Sequence, residues 1–357
     1  MSQATIGVSQ KQIATGSTPS QRIENEASPA RHLLSITDLT GKDLAWLVDR
    51  ATKIASNQVS PSDELEGKII GLYFRAPSTR TRSSFSVGAL RSGAKIVSYG
   101  PEDLQLITGE TIEDTARVLS GYLDAIVVRT NGSIEEMKAL ASQHEMAVIN
   151  AMSENEHPTQ AIADLSTLKE RFGRLDGLHL LYLGEGNNTA AALALAVAAT
   201  HGMKATFITP AGYGLQEGLL DHVLRSASQN GAVIECSQNI DELPQNVDAV
   251  YATRWQTMGV PHSTENWIEI FRPYCVTPQI MKKVSKPDGT VFLHDLPAVR
   301  GEDVHSEVID GPQSLVWRQA RHKMYSAMAI MEWCLKQGPQ NGRKQQQKRR
   351  PPRSLAE

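Results

Sequence analysis

The chain has 357 residues, 40% of them hydrophobic and 21% charged, which is enough for two globular domains with apolar cores. The net charge is -3, but six basic residues stand in the last fifteen positions, so the rest of the chain is more acidic than this value. An acidic body excludes general nucleic-acid binding. No apolar run is long enough to cross a membrane. Three widely spaced cysteines favour a reducing compartment, so we expect a cytoplasmic protein.

The two ends of the chain differ in composition from the middle. Residues 1–30 are rich in Ser, Gln and Thr and lack the apolar stretch of a secretory signal, while residues 337–357 are polar and basic. We expect both ends to be disordered. The folded part begins near Leu33, and Thr40 is placed to cap a helix whose apolar residues recur at helical spacing.

Nine short runs of strand-forming residues follow, separated by stretches of helical periodicity such as residues 134–144. The runs cover residues 69–74, 95–99, 125–128, 147–150, 179–183, 206–209, 233–236, 249–252 and 290–294. Alternation of strands and helices predicts an α/β fold made of doubly wound parallel sheets with helices on both faces.

Nine strands are too many for one compact sheet domain, so we predict two domains. We place the break along a helix over residues 157–171, which gives a first domain of residues 31–165 and a second of residues 166–313. A long amphipathic helix over residues 314–336 is predicted to begin at a Ser314 cap and to pack back on the first domain.

The first candidate site follows the run 69–74. Ser78-Thr79-Arg80-Thr81-Arg82 comes after a strand and a proline turn, where a helix is predicted to begin. Free N–H groups at a helix N-terminus with an arginine beside them form a phosphate pocket. The alternative is a serine cap with two surface arginines, but arginines in a first turn oppose the helix dipole, which favours an anion as their partner.

Two further polar groups stand at predicted strand ends. Arg129-Thr130 follows the run 125–128, and His157-Pro158-Thr159-Gln160 follows the run 147–150. Open parallel sheets bind ligands at the carboxyl ends of their strands, so we expect these groups to face one crevice. Taken alone, a histidine before a proline at a helix start is also typical of a helix cap.

In this order along the chain, the motifs resemble those of the aspartate/ornithine carbamoyltransferase family. The first half carries Ser-Thr-Arg-Thr-Arg at 78–82, Gln105, Arg129-Thr130 and His-Pro-Thr-Gln at 157–160. The second half resembles the ornithine branch, with Gly-Glu-Gly-Asn-Asn at 184–188, Trp-Gln-Thr-Met-Gly at 255–259 and His-Asp-Leu-Pro-Ala at 294–298. The resemblance spans roughly residues 31 to 336.

The resemblance implies transfer of the carbamoyl group of carbamoyl phosphate to the side-chain amine of ornithine or an ornithine-like amino acid, without a metal or other cofactor. Ser78, Thr79, Arg80 and Thr81 would hold the phosphate. The remaining carbamoyl-phosphate contacts implied are Arg129, His157 and Gln160 at the carbonyl, the backbone carbonyls of Asp295 and Leu296 at the NH2 group, Lys323 where the family has an arginine, and Gln105 from a neighbouring subunit of a homotrimer.

The amine side departs from the family pattern. Asn188 and Met258 keep the family residues, but Thr253 stands where the ornithine branch has an aspartate that holds the α-ammonium, and Thr257 stands where it has a serine. Asp295 replaces a cysteine beside the attacking nitrogen. Three roles stay open for Asp295: base and partner of the incoming ammonium, holder of a second substrate cation, or structural partner of Arg254.

Three other functions follow from weaker or altered features. The changed amine side allows a carbamoyltransferase for another diamino acid or a diamine, and it also allows a non-catalytic protein that binds carbamoyl phosphate. Gly184-x-Gly186 after a predicted strand suggests a dinucleotide-dependent dehydrogenase, but Thr189 stands at the third glycine position and the next strand ends without an acid for the ribose.

Overall fold

The structure is a computed structural model that describes residues 30–61, 63–256, 262 and 265–336. Nearly all of the two ends predicted to be disordered, residues 1–29 and 337–357, lies outside the described residues. Two candidate amine-side residues, Thr257 and Met258, also lie outside them. Within the described part of the chain, no helix is long and apolar enough to span a membrane.

All nine predicted strands are present, and their ends differ from the predicted ones by at most two residues. The strands are β1 Ile69–Phe74, β2 Lys95–Tyr99, β3 Ala125–Arg129, β4 Ala147–Met152, β5 His179–Leu183, β6 Lys204–Ile208, β7 Val233–Ser237, β8 Ala249–Ala252 and β9 Val291–His294. The helices are α1 Gly41–Ala55, α2 Thr79–Arg91, α3 Ile112–Ser120, α4 Ile134–Leu140, α5 Pro158–Phe172, α6 Asn188–Ala198, α7 Glu217–Asn230, α8 Trp267–Phe271, α9 Pro278–Val284, α10 Ser306–Ile309 and α11 Val316–Leu335.

The strands form two parallel sheets, which confirms the predicted fold class. The first has the order β2-β1-β3-β4 and the second the order β7-β6-β5-β8-β9. Phe74 pairs with Arg129 across β1 and β3, and Ala252 pairs with His294 across β8 and β9, so the carboxyl ends of neighbouring strands lie level. Loops that leave these ends therefore start from one edge of each sheet.

Helices α5 and α11 join the two sheets. Helix α11 packs against α1, α2 and α5, as predicted for a C-terminal helix that returns to the first domain, and α5 packs against α6 of the second sheet. One apolar cluster contains residues of both sheets and of these helices. The predicted boundary between residues 165 and 166 falls inside α5 and stays a prediction.

Two local predictions were wrong. Helix α11 begins at Val316 with Leu315 as its N-cap rather than Ser314, because Leu315 N donates to Phe292 O and holds this segment extended beside β9. Helix α4 ends at Leu140 rather than at residue 144. The Gln143 side chain ends it, since its amide donates to the Leu140 and Met146 carbonyls and fixes a turn.

Candidate active site

A cavity of about 210 Å³ lies where the carboxyl ends of the two sheets face each other. Its described lining comes from the start of α2, the ends of β3 and β4, the starts of α5 and α6, the loops after β8 and β9, and α11. The lining residues are Pro77, Ser78, Thr79, Arg80, Thr81, Arg129, Met152, His157, Gln160, Asn187, Asn188, Thr189, Thr253, Arg254, Gln256, Asp295, Leu296, Pro297 and Lys323.

The N-terminus of α2 faces this cavity with its first turn available to a ligand. Ser78 is the N-cap, but its side chain accepts no hydrogen bond from the first turn, so it leaves those N–H groups to another acceptor. Arg80 lines the cavity, whereas Arg82 is exposed and lies over the Phe74 ring, 5.5 Å from its centroid. The segment alone left both arginines open, the family resemblance implied Arg80, and Arg80 is the one that lines the cavity.

Arg129 and His157 bring two buried donors to the same cavity. Arg129 is the last residue of β3, and its Nη1 lies 3.5 Å from Thr81 Oγ1, while its Nε has no partner among the described residues. Burial and the nearby Arg80 lower the pKa of Arg129 to about 10, so it stays cationic at neutral pH. Burial and three neighbouring cations hold the pKa of His157 well below its usual value, so this imidazole is neutral.

Behind these residues, a buried network centres on Asp164 of α5. The Asp164 carboxylate accepts from Gln160 Nε2 and Gln319 Nε2, each at 2.7 Å, and from the Tyr251 hydroxyl at 3.0 Å. Lys323 Nζ donates to Gln160 Oε1. The network thereby fixes the Gln160 amide and the Lys323 ammonium through contacts between α5, in the middle of the chain, and α11, near its C-terminal end. Burial is the main cause that raises the pKa of Asp164 and lowers that of Lys323.

Asp295 follows β9 and carries the one carboxylate among the described lining residues of the cavity. Its Oδ2 accepts from the Thr189 hydroxyl at 2.9 Å, and its Oδ1 accepts from the Thr253 hydroxyl at 3.1 Å. No ion pair joins it to Arg254, a residue that the structure also describes, so the third of the roles left open for Asp295, structural partner of Arg254, is wrong. The physical reason is that the two threonine hydroxyls already orient the carboxylate.

The loop that carries Asp295 is fixed from behind. His294 N donates to Gln319 Oε1 at 2.8 Å, and Leu296 N donates to His294 Nδ1 at 2.8 Å. Leu296 lines the cavity with a left-handed backbone, φ 59°, which is uncommon for leucine. Such conformations persist where surrounding contacts hold them, as the two hydrogen bonds do at this loop.

The structure brings together twelve of the fifteen predicted site residues, leaves one apart and does not describe two. Ser78, Thr79, Arg80, Thr81, Arg129, His157, Gln160, Asn188, Thr253, Asp295, Leu296 and Lys323 line the cavity. Gln105 is exposed in a short helix after β2 and does not reach this cavity within one chain. Thr257 and Met258 lie outside the described residues.

Several residues that the structure places at or beside the site were not predicted from the sequence, among them Thr189, Arg254 and Asp164. Thr189 and Arg254 line the cavity, and Asp164 organises the network behind it. Arg254 sits one residue after Thr253, in a motif already singled out, but its side-chain direction does not follow from spacing. Asp164 lies four residues after Gln160, the helical spacing that places two side chains on one face. This spacing could have predicted that Asp164 lies beside Gln160.

The fold and the cavity define a class: a two-domain parallel α/β protein with a cavity between its sheets that is lined by Arg80, Arg129, Arg254 and Lys323. The chain belongs to the aspartate/ornithine carbamoyltransferase family. Residues 31–170 match the carbamoyl-P binding domain of aspartate/ornithine carbamoyltransferases, and residues 176–334 match their Asp/Orn binding domain.

Individual relatives agree with this assignment. The chain is 41% identical over 308 residues to an ornithine carbamoyltransferase of Caldicellulosiruptor saccharolyticus, covering 85% of this chain and 99% of that protein. It is 38% identical over 305 residues to one of Methanothermobacter thermautotrophicus, covering 85% and 99%. The solved ornithine carbamoyltransferase from Pyrococcus furiosus superposes with a TM-score of 0.79 at 35% identity, covering 87% of this chain and 98% of that one.

Proposed function

We propose that this protein is a carbamoyltransferase that moves the carbamoyl group of carbamoyl phosphate to the side-chain amine of ornithine or an ornithine-like amino acid. The products are a citrulline-type amino acid and phosphate. The observation that carries the proposal is the convergence of the α2 N-terminus, Arg80, Arg129, His157 and Gln160 on one cavity that also holds Asp295. Family membership and the names of the relatives support the same reaction.

Carbamoyl phosphate is placed with its phosphate at the start of α2. Ser78, Thr79, Arg80 and Thr81 supply backbone N–H groups, hydroxyls and one guanidinium, which together suit a dianionic group. The carbamoyl carbonyl then faces Arg129, His157 and Gln160. The backbone carbonyls of Asp295 and Leu296 accept from the carbamoyl NH2 group. Lys323 adds a third positively charged side chain to Arg80 and Arg129.

The bond changes follow from this placement. The amine nitrogen, as the free base, forms a bond to the carbamoyl carbon, and the bond from that carbon to the phosphate oxygen breaks. Negative charge develops first on the carbonyl oxygen and then on the leaving phosphate, where Arg80, Arg129 and neutral His157 donate to it. The donors are held before the substrate arrives, so little reorganisation is needed.

Asp295 is assigned to the amine. Two threonine hydroxyls hold its carboxylate, and each oxygen keeps a further acceptor position for a substrate N–H. The carboxylate first accepts a hydrogen bond from the incoming ammonium and then takes one of its protons, which leaves the free-base amine that attacks. The second proton of the nitrogen is lost as the carbon–nitrogen bond forms and passes to the leaving phosphate. Asn188, Thr253, Thr257 and Met258 are assigned to the remainder of the amine substrate.

A homotrimer with shared active sites completes the proposal. Gln105 is exposed shortly after the edge strand β2, and the first domain exposes large apolar side chains, among them Val97 of β2 at 39%, Leu90 at 57% and Tyr122 at 67% exposure. A neighbouring subunit that covered this face would bury those side chains and bring its Gln105 to the cavity of another chain.

The test is a panel of amines. Phosphate release from carbamoyl phosphate is measured with ornithine, other diamino acids, diamines and no amine. The mass of each carbamoylated product is measured by mass spectrometry. We expect amine-dependent release with one carbamoylated product formed per phosphate. Binding of carbamoyl phosphate without release in the presence of any amine would contradict the proposal and favour the non-catalytic alternative.

A further inference from the structure

We propose that Asp164 is a positioning residue for both sides of the cavity, because it orients Gln160 at the start of α5 and, through Gln319, the loop that carries Asp295. The inference rests on the proposed carbamoyl transfer and adds to it a residue that contacts neither substrate. Asp164 is buried in α5, four residues after Gln160, and is not one of the residues that line the cavity. It therefore acts through the side chains that it holds.

The hydrogen bonds of Asp164 are the middle of a longer chain of hydrogen bonds. Its Oδ1 accepts from Gln160 Nε2 and from Gln319 Nε2, each at 2.7 Å. Beyond these two amides, Gln160 Oε1 accepts from Lys323 Nζ, and Gln319 Oε1 accepts from His294 N at 2.8 Å. The chain of hydrogen bonds thus connects α5 and α11 with the end of β9, which carries the next residue, Asp295, into the cavity.

An acceptor at position 164 fixes the direction of both glutamine amides. The Lys323 ammonium and the His294 backbone nitrogen can only donate, so each requires the oxygen of its glutamine. Both NH2 groups then point to Asp164, whose carboxylate offers acceptors and no donor. A side chain that turned a donor toward either amide would force that glutamine to rotate and would leave a buried polar group without its partner.

The contacts of Asp164 suit its ionised form. Its Oδ2 accepts from the Tyr251 hydroxyl at 3.0 Å, so each carboxylate oxygen receives at least one hydrogen bond. Burial raises the pKa of Asp164, whereas the amides of Gln319 and Gln160 oppose that change. Hydrogen bonds donated to a carboxylate favour its charged form. Asp164 therefore supplies a negative charge behind the cavity as well as two acceptor positions for the glutamines.

That negative charge acts on Lys323, which lines the cavity. The charged and titratable groups around Lys323 are Arg80, Arg129, His157, Asp164 and Asp295. Burial and the two arginines lower the pKa of Lys323, whereas the two carboxylates raise it. If Asp164 is neutralised, one of these carboxylates is gone, so the Lys323 ammonium is lost at a lower pH.

The first test is Asp164→Asn, which keeps the shape of the side chain and removes its charge. At saturating carbamoyl phosphate, we expect kcat/KM for ornithine, or for the fastest amine of the panel, to fall about tenfold to 150-fold, the range of a hydrogen bond to a charged group. The dissociation constant of carbamoyl phosphate, measured by calorimetry at pH 7, should rise at least about tenfold. The pH above which that affinity is lost should be lower than in the unaltered protein.

Tyr251→Phe is the matched control. Tyr251 donates to the same carboxylate through the oxygen that neither glutamine uses. Its loss removes one buried hydrogen bond of Asp164 but leaves both amides in place. We therefore expect kcat/KM for the amine and the dissociation constant of carbamoyl phosphate to stay within about threefold, with an unchanged pH profile.

The second test cuts the chain of hydrogen bonds on one side only. Gln319→Met keeps the length of the side chain but removes its amide, so the His294 nitrogen loses its acceptor. As the loop of Asp295 shifts, kcat/KM for the amine should fall about tenfold to a hundredfold. The affinity for carbamoyl phosphate should stay within about threefold. In the double variant with Asp164→Asn, the two effects on the amine should not add, because both act through one connection.

The outcomes separate this inference from the proposed function. If Asp164→Asn and Tyr251→Phe change both constants by the same factor, the network is only structural and the inference is overturned while carbamoyl transfer stands. Unchanged amine kinetics in Gln319→Met would overturn it too, whether or not Asp164→Asn folds. If the unaltered protein carbamoylates no amine, the proposed function fails. An unchanged affinity of Asp164→Asn for carbamoyl phosphate would then overturn the inference as well.

Discussion

The two walls of the cavity are built by different means. The wall for carbamoyl phosphate uses a helix N-terminus, a strand end and two buried helices, so its donors are backbone N–H groups and side chains held from behind. The wall assigned to the amine uses the loops after β8 and β9, where single side chains such as Thr253, Arg254 and Asp295 line the cavity.

The difference indicates which side chains of the cavity can be exchanged without loss of carbamoyl transfer. Replacing a donor of the first wall disturbs an electrostatic arrangement that every carbamoyl transfer requires. Exchanging a loop side chain of the second wall changes which amine is held while the reacting carbonyl stays in place. This protein keeps the first wall except at Lys323, where the resemblance implies an arginine, and it carries its carboxylate at position 295 rather than 253.

The largest effect is expected on the first wall. Arg80→Ala removes a charged donor from the phosphate position and should lower kcat/KM by about a hundredfold to a thousandfold, the usual result of losing a donor to developing charge. Arg82→Ala is the control, since Arg82 lies two residues along the same helix but is exposed over Phe74. Equal kinetics of the two variants would show that the phosphate does not bind at the start of α2.

Asp295→Asn tests the second wall. The loss of a carboxylate opposite an ammonium should lower kcat/KM for the amine about tenfold to 150-fold. The dissociation constant of carbamoyl phosphate, measured by calorimetry, should stay within about threefold, because the backbone carbonyls of residues 295 and 296 are kept. If Asp295→Asn lost as much affinity for carbamoyl phosphate as Arg80→Ala, the two walls would not bind their substrates independently.

Gln105→Ala tests whether the residues of a single chain are enough to form the first wall. A neutral hydrogen bond lost between subunits should lower the rate up to about tenfold. Adding inactive Arg80→Ala chains under conditions of subunit exchange should then raise the activity of Gln105→Ala, because they supply the missing Gln105 to intact Arg80 sites. Light scattering should give three times the chain mass. No gain on mixing, or an active monomer, would rule out the shared site.

The smallest effect concerns pH. Burial and Arg129 lower the pKa of Lys323 to about 7, so its ammonium is present below that pH and is lost above it. The affinity for carbamoyl phosphate should therefore fall a few-fold, about three to tenfold, between about pH 6 and pH 8.5. Lys323→Arg keeps its charge throughout that range and should lose this dependence. Parallel pH profiles of the two proteins would show that Lys323 does not contact the phosphate or carbamoyl group.

The fold could be predicted from the sequence because strands and turns are encoded by local residue patterns. Runs such as Ile69–Phe74 and His179–Leu183 are apolar, short and bounded by turns, and all such runs became strands. Residues of the first wall follow strand ends directly, so topology alone gathers Arg80, Arg129 and His157. The Ser314 cap failed because a tertiary hydrogen bond from Leu315 to Phe292 determines where α11 starts.

The second wall was harder to predict for a physical reason. One of the hydrogen bonds of Asp295 comes from Thr189, 106 positions away in the chain, and no local pattern encodes that contact. The resemblance identified which positions had changed, but it could not show that the carboxylate would rest between two threonine hydroxyls.

The central claim is that the amine wall, and within it the position of one carboxylate, sets the choice of amine. It is tested most directly by kcat/KM for ornithine in the unaltered protein, in Asp295→Asn and in the double variant Thr253→Asp, Asp295→Cys. We expect Asp295→Asn to be impaired and the double variant to gain turnover of ornithine relative to the amine that the unaltered protein prefers. Equal ornithine kinetics in all three proteins would contradict the claim and show that this loop does not govern amine choice.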